Sequence, residues 1–351
     1  MRIIKKFIVF LIITVFIISF VSLFTCYNCV AKGVTSGLYL CMNIVIPTLF
    51  PVLCVTGVLS SSGVLNLFAN HLESFSKKVF NTSGYFIPVF LLSLVSGYPV
   101  GACISQTLYE HKKISLSDRN NIASVCGSAG PGFILLAVGI GILNSYDSGV
   151  VLLISHILST LTVMLIVTRF FKASYHNEIN ENNIAISDAF VGGVQSACNS
   201  TISICAYTII FSAVVNVISK YLRNTFVYLP LISLLEVTNA VYALSGEKVT
   251  LPIISAVIGF GGLSIVFQIC SALKNNRPPF LKILFIRLTH ACFSAFYCKT
   301  ILLFYKIDTP VSRTVQFTSQ NSSKNFLFSL SLFLLLIVFL NFFNKCKQIL
   351  K

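Results

Sequence analysis

Apolar residues run along this chain in long blocks, and short polar stretches with turn residues separate one block from the next. The first block, FIVFLIITVFIISFVSLF, follows a basic MRIIKK start, and further blocks cover 38–60, 86–105, 121–143, 150–170, 190–218, 226–244, 250–273, 283–304 and 326–344. A helix needs about 20 apolar residues to cross the hydrocarbon layer, so the pattern predicts an all-α polytopic membrane protein with about 8–10 membrane segments. The opening block exceeds the usual signal-peptide core and lacks a small-x-small cleavage site, which favours a retained anchor. The predicted divisions are an anchor over 1–34, repeats over 35–172 and 190–305 with a polar linker at 173–189, and a closing span within 306–351.

Several blocks are interrupted, and the interruptions fall in matching places. LSLVSGYPVGA (92–102) and then ASVCGSAGPGFILLAVG (123–139) break the first half; ISLLEVTNAVYA (232–243) and then SAVIGFGGLSIVFQI (255–269) break the second. Interrupted segments at corresponding positions of two halves mark the substrate site of secondary transporters. If 86–105 and 226–244 are re-entrant, each half crosses three times and the halves are inverted repeats. That arrangement puts Lys77, Lys78, Lys112, Lys113, Arg169, Lys172, Lys274 and Arg277 in the cytoplasm, with both termini, leaving Lys220 and Arg223 as exceptions to the positive-inside rule.

Composition sharpens this picture. Of 351 residues, 56% are hydrophobic and 10% charged, far below the ~25% charge of soluble domains. The net charge of +15 is spread over the ends of apolar blocks and forms no basic face, so nucleic acid is not an expected partner. The twelve cysteines sit mostly inside apolar blocks as small hydrophobes, and a lone CxxC at Cys26 and Cys29 does not make a metal or redox site. No metal or cofactor is expected. His156 and His290 read as hydrogen-bonded helix contacts, since neither has a second ligand one turn away.

The candidate chemistry lies in the interruptions. Pro99 has no N–H and biases Tyr98 away from helical geometry, while Gly97 and Gly101 permit tight turns or close backbone approach, and Ser96 is a candidate binding residue beside them. Unwound backbone survives in a membrane only inside protein or beside a wet cavity. In CGSAGPGF, a helix restarting near Pro131 would aim its N-terminal dipole and N–H groups at a cavity past Gly127, Ser128, Gly130 and Gly132, an anion site without a charged side chain. Gly261, Gly262, Ser264 and Gln268 form the counterpart. Glu236 is the sharpest question, since a carboxylate at mid-bilayer costs roughly 2.5–3.5 kcal/mol on insertion scales. Thr238 and Asn239 beside it offer neutral hydrogen bonds. Glu236 is expected either to couple a proton or organise backbone donors, or else to cap a broken helix or pair with Lys299, Arg287 or His290.

SGYPVGA, LLEVTNA and GFGGLS with a following Gln, in this order and spacing, resemble the YlbJ family of sporulation integral membrane proteins (stage V sporulation protein VV), within the wider nucleoside-transporter and ferrous-iron-transporter Gate group. The resemblance covers roughly 35–305. It implies transport of dipicolinic acid, made in the mother cell, across the outer forespore membrane of a bacterium. Dipicolinate is a planar dianion, so under this resemblance Glu236 is expected to be neutral when substrate binds. The helix starts near Gly130–Gly132 and Gly261–Gly262 would hold its carboxylates.

Other functions fit less well. The chain has no HExxH, GxSxG or Walker motif and no nucleophile–base pair, so an enzyme is not expected. A nucleoside-like carrier, a passive channel, or a scaffold for spore assembly remain alternatives. Coupling ion, transport direction and oligomeric state are not written in these motifs.

Overall fold

The computed structural model describes residues 25–62, 64–170, 186–247 and 249–305. The opening block to residue 24, most of the 173–189 linker and the 306–351 segment lie outside these. Among the described residues the regular structure is thirteen α-helices and two π-helices, with no strand.

The first half begins with α1 (Tyr27–Leu40), which passes through a π-helical turn, π1 (Cys41–Val45), into α2 (Ile46–Ser61). Next comes α3 (Val64–Phe80), which the apolar-block pattern does not predict because it is amphipathic. It buries Leu65, Ala69 and Phe80, exposes Leu67 and Phe75, and carries an i,i+4 pair between Glu73 and Lys77 at 2.9 Å. The remaining elements are α4 (Phe86–Ser96), α5 (Val100–Glu110), α6 (Leu116–Val125), π2 (Gly132–Ile142) and α7 (Tyr146–Thr168). Ser115 and Ser145 cap α6 and α7, accepting the N–H groups of Asp118 at 3.0 Å and Ser148 at 3.1 Å.

The second half is α8 (Ile186–Leu222), α9 (Tyr228–Leu235), α10 (Val237–Ser245), α11 (Leu251–Phe260), α12 (Gly262–Ala272) and α13 (Phe280–Phe304). Among the described residues four stretches are long and apolar enough to cross a membrane: Tyr146–Thr168, Ser187–Leu222, Leu251–Ala272 and Phe280–Phe304, with a fifth if Leu49–Ser61 and Leu65–Phe80, bent by 76°, are taken together. Two of the expected segments, the opening block and 326–344, lie outside the described residues. Of the others, the interruptions cut several into shorter pieces such as α4 with 11 residues, α6 with 10 and α9 with 8.

Helix α7 shows how the chain treats its solvent. Its buried side carries Ser155, His156, Ser159 and Thr160, while Ile154, Leu158, Leu161 and Leu165 are exposed along the other. Polar residues point inward and apolar ones outward, as expected where the outer medium is lipid. Helix α8 packs along both α1 and α2, and small residues set the distance. A Cβ on Gly33 would stand 2.5 Å from Ala213 Cα, and one on Gly57 would stand 2.8 Å from the Gly193 carbonyl oxygen. Helix α13 packs against α7 and α11, and α7 packs against π2. One core cluster crosses between the halves, joining Tyr98, Ala129 and Ile134 to Phe211, Leu235 and Ile258.

Candidate functional site

Four helix interruptions meet in the interior. Helix α4 ends at Ser96, Gly97 adopts φ +87°, the Tyr98–Pro99 peptide is cis, and α5 starts at Val100. A side chain at Gly97 would meet the backbone N of Gly130 at 2.8 Å, so these two glycines let the first interruption lie directly on the second. That second interruption is the irregular stretch 126–130 between α6 and the Pro131 N-cap of π2. The third is a single residue. Glu236 is extended, with φ −149° and ψ 128°, between α9 and α10. The fourth is Gly261, left-handed at φ +79°, between α11 and α12.

A cavity of about 140 Å³ lies where three of these interruptions converge. The first half supplies Leu40, Val45, Leu49, Val95, Ser96, Gly97, Tyr98, Gly130, Gly132 and Phe133; the second supplies Ile204, Thr208, Glu236, Val237, Thr238, Ile265 and Gln268. The wall is mainly apolar, with a few polar groups converging on it, the usual make-up of a small-molecule site. Gly132 begins π2, so a helix N-terminus opens on the cavity.

Glu236 is buried, and its carboxylate caps α10. Oε1 accepts the Thr238 N–H at 3.0 Å, and Oε2 accepts the Asn239 N–H at 2.7 Å and its side-chain amide at 2.8 Å. Pairing with Lys299, Arg287 or His290 is therefore not what the structure shows. The N–H groups at the start of α10 take up the carboxylate instead.

The cation Arg287 has a different task. Its guanidinium is buried in α13 and ties two interruptions together: Nε donates to the Phe260 carbonyl at 3.0 Å, Nη2 to the Gly259 carbonyl at 2.7 Å, and Nη1 to the Gly127 carbonyl. The C-terminal end of α11 carries partial negative charge, which suits a cation with no acidic partner among the described residues. The Tyr98 ring lies 5.1 Å from the guanidinium carbon, and the Tyr98 hydroxyl donates to the Ile258 carbonyl at 2.5 Å. Two histidines complete the brace. His156 accepts the Ala129 N–H at 2.8 Å, His290 donates from Nδ1 to the Gly259 carbonyl at 2.9 Å, and their rings meet edge to face at 4.5 Å. Both are helix contacts, and the residues they contact are the interruptions themselves.

Of the sixteen residues singled out in the sequence, Ser96, Gly97, Tyr98, Gly130, Gly132, Glu236, Thr238 and Gln268 line the cavity. The others stand behind it. Asn239 holds the Glu236 carboxylate, and Ser264 accepts from Gln268 Nε2 at 3.2 Å. Pro99 is the N-cap of α5, and Gly101 packs on Cys126. Gly127 offers its carbonyl to Arg287, and Ser128 is buried with no hydrogen-bond partner among the described residues. Gly261 and Gly262 do not reach the cavity, contrary to the expectation of two facing anion sites. Gly261 sits against Arg287 and Tyr98, and Gly262 against the Leu235 carbonyl, because α11 ends on the arginine brace. Arg287, His156 and His290 are not among the expected site residues, yet an arginine inside the apolar 283–304 block carries the same signal as Glu236.

The chain is 23% identical over 314 residues to the sporulation integral membrane protein YlbJ of Bacillus subtilis (strain 168), spanning 77% of this chain and 76% of that protein. That likeness supports a YlbJ-like family. The resemblance carried by SGYPVGA, LLEVTNA and GFGGLS thus extends over most of the chain. No family model matches the chain. No solved structure matches it.

Proposed function

We propose that this protein is an integral membrane transporter of a small anionic solute, dipicolinic acid in the first instance, moving it from the mother cell toward the forespore during sporulation. The observation that carries the reading is the cavity where interrupted helices of both halves converge, with Glu236, Thr238 and Gln268 facing Ser96, Gly97 and the Gly130–Gly132 helix start. The similarity to a sporulation integral membrane protein supports the cellular setting. In this reading the π2 N-terminus receives a substrate carboxylate, Ser96, Thr238 and Gln268 fix its orientation, and Glu236 takes up a proton as the anion enters. The inverted-repeat architecture and the outer forespore membrane are part of the same proposal, and no enzymatic step is involved.

One observation favours a second reading. No Lys, Arg or His is among the described residues lining the cavity, which also suits a neutral polar solute such as a nucleoside. Deletion of the gene in a spore-forming host separates the two. Dipicolinate retained in mother-cell lysate and missing from spores supports export of the anion. Normal spore dipicolinate, with related transport genes also removed, sinks that assignment and leaves the neutral-solute carrier standing.

A further inference from the structure

A second cavity, of about 520 Å³, lies between α1, π2 and α10. Its wall includes Thr35, Ser36 and Tyr39 from α1, Ala137 from π2, and Asn239 and Tyr242 from α10. The wall surface is mainly apolar, Ile142 included, but six of the nine lining residues carry a hydroxyl or an amide, and Thr35, Ser36, Tyr39 and Tyr242 are exposed. Two further residues, Leu40 and Thr238, line this cavity and the central one alike. They are the partition between the two.

The halves of that partition differ in how they are held. Thr238 is fixed from behind, its N–H donated to Glu236 Oε1 at 3.0 Å. Leu40 ends α1, and the next residue begins the π-helical turn Cys41–Val45. Upstream of that turn, α1 is seated against α8 by Gly33 and Gly37, where a Cβ would come within 2.5 Å of Ala213 Cα and 2.7 Å of Ile209 Cα. A π-turn inside an α-helix leaves the regular i→i−4 ladder and is a common site of local adjustment. The apolar side chain at this point thus sits next to the stretch of helix that adjusts most readily, whereas the Thr238 backbone is held.

We infer that the larger cavity is the outer station of the transport route and that Leu40, closing against Thr238, is the constriction between it and the central site. This rests on the transporter reading and adds the path and the gating residue to it. The outer station admits small polar or anionic solutes, recognised by the hydroxyls of Thr35, Ser36, Tyr39 and Tyr242. Displacement of the Leu40 side chain opens the way inward.

The test reads access, not transport, so it stands apart from the identity of the cargo. Introduced cysteines Ser36→Cys (outer) and Thr208→Cys (central) are placed one at a time in the full-length protein in liposomes. Each is treated with the small anionic reagent sulfonatoethyl methanethiosulfonate, and modification is read peptide by peptide by mass spectrometry so that native thiols do not interfere. Ser36→Cys is expected to react at the same rate whatever stands at position 40. Thr208→Cys is expected to react several-fold faster with Leu40→Ala and several-fold slower with Leu40→Trp. Thermal unfolding of each variant in detergent shows that it is folded, and Leu40→Ala stands alone if the tryptophan does not fit. A Thr208→Cys rate indifferent to position 40 overturns the gate, and a Ser36→Cys that never reacts overturns the outer station. If the gate pattern appears while dipicolinate is not carried, the route stands and the cargo assignment fails.

Discussion

Arg287 gives the most demanding stability prediction. Replacing it with Met keeps much of the side-chain volume but leaves the Gly127 and Phe260 carbonyls, both in the protein interior, without their donors, while the Gly259 carbonyl keeps the His290 Nδ1 donor. An unmet buried acceptor costs about 1–3 kcal/mol, so two that stay dry cost about 2–6 kcal/mol. Removing the guanidinium also relieves its own burial, which brings the expected loss to about 2–4 kcal/mol. Arg287→Lys retains the charge, but a single ammonium cannot reproduce the fork that reaches both interruptions, so an intermediate loss is expected. The chain has no Trp, and unfolding is better followed through buried thiols such as Cys126 and Cys298, using a thiol-reactive dye during heating in detergent. Arg287→Met unfolding within about 1 kcal/mol of the parent protein would show that the carbonyls find other donors and refute the brace.

Four further outcomes follow from the same geometry. Glu236→Gln offers the α10 N-terminus one acceptor oxygen in place of two; it should lower stability by about 1 kcal/mol in the same assay and, under the proposed proton uptake, flatten the pH dependence of solute flux. Gly101→Ala drives a methyl group into the Cys126 carbonyl oxygen, and a loss of about 1–3 kcal/mol is expected in thermal unfolding. Tyr98→Phe keeps the ring over Arg287 but loses the hydroxyl donor to Ile258, so about 1 kcal/mol should be lost, with a much larger loss arguing for a further role of the hydroxyl. Burial of Glu110 at the end of α5 works against its charged form, but hydrogen bonds from Lys274 and Gln106 outweigh it and hold the carboxyl below the ordinary glutamate value of 4.5. Because the folded value is lowered, the stabilisation is present above pH 4.5 and fades as pH falls below it; with 64% and 45% of the Lys274 and Glu110 side chains exposed, it is below about 1 kcal/mol, and Glu110→Gln should remove that acid-side slope.

How far the sequence can be read depends on the kind of signal. Pro99, Glu236 and the Gly261–Gly262 pair disrupt apolar runs locally, so the positions of these interruptions are legible in the residues themselves. Helix α3 is not, because its amphipathic pattern never forms an uninterrupted apolar block. Nor are the lengths of the individual helices, because a glycine or a capping carboxylate divides a run of apolar residues that reads as one block. The capping role of Glu236 is legible, since a carboxylate two or three residues before free N–H groups has a partner at hand. The direction of Gly261 and Gly262 is not, because it depends on Arg287 arriving from a helix that begins nearly twenty residues downstream. Nor is the apolar wall of the cavity. Leu40, Val45, Leu49 and Ile204 come from α1, π1, α2 and α8, and nothing in their local sequence distinguishes them from residues facing lipid.

The proposed function rests on solute moving through the central cavity, and flux through the purified protein addresses that directly. Liposomes carrying the full chain would be given labelled dipicolinate under an imposed pH gradient, alongside protein-free liposomes and liposomes carrying Gly132→Leu, at a cavity-lining position where a Cβ meets nothing within 4 Å. The account predicts uptake that saturates with dipicolinate, responds to the gradient, and is lost in the Gly132→Leu protein while that protein still folds. Uptake by the unaltered protein no faster than by protein-free liposomes, in either direction of the gradient, would contradict it.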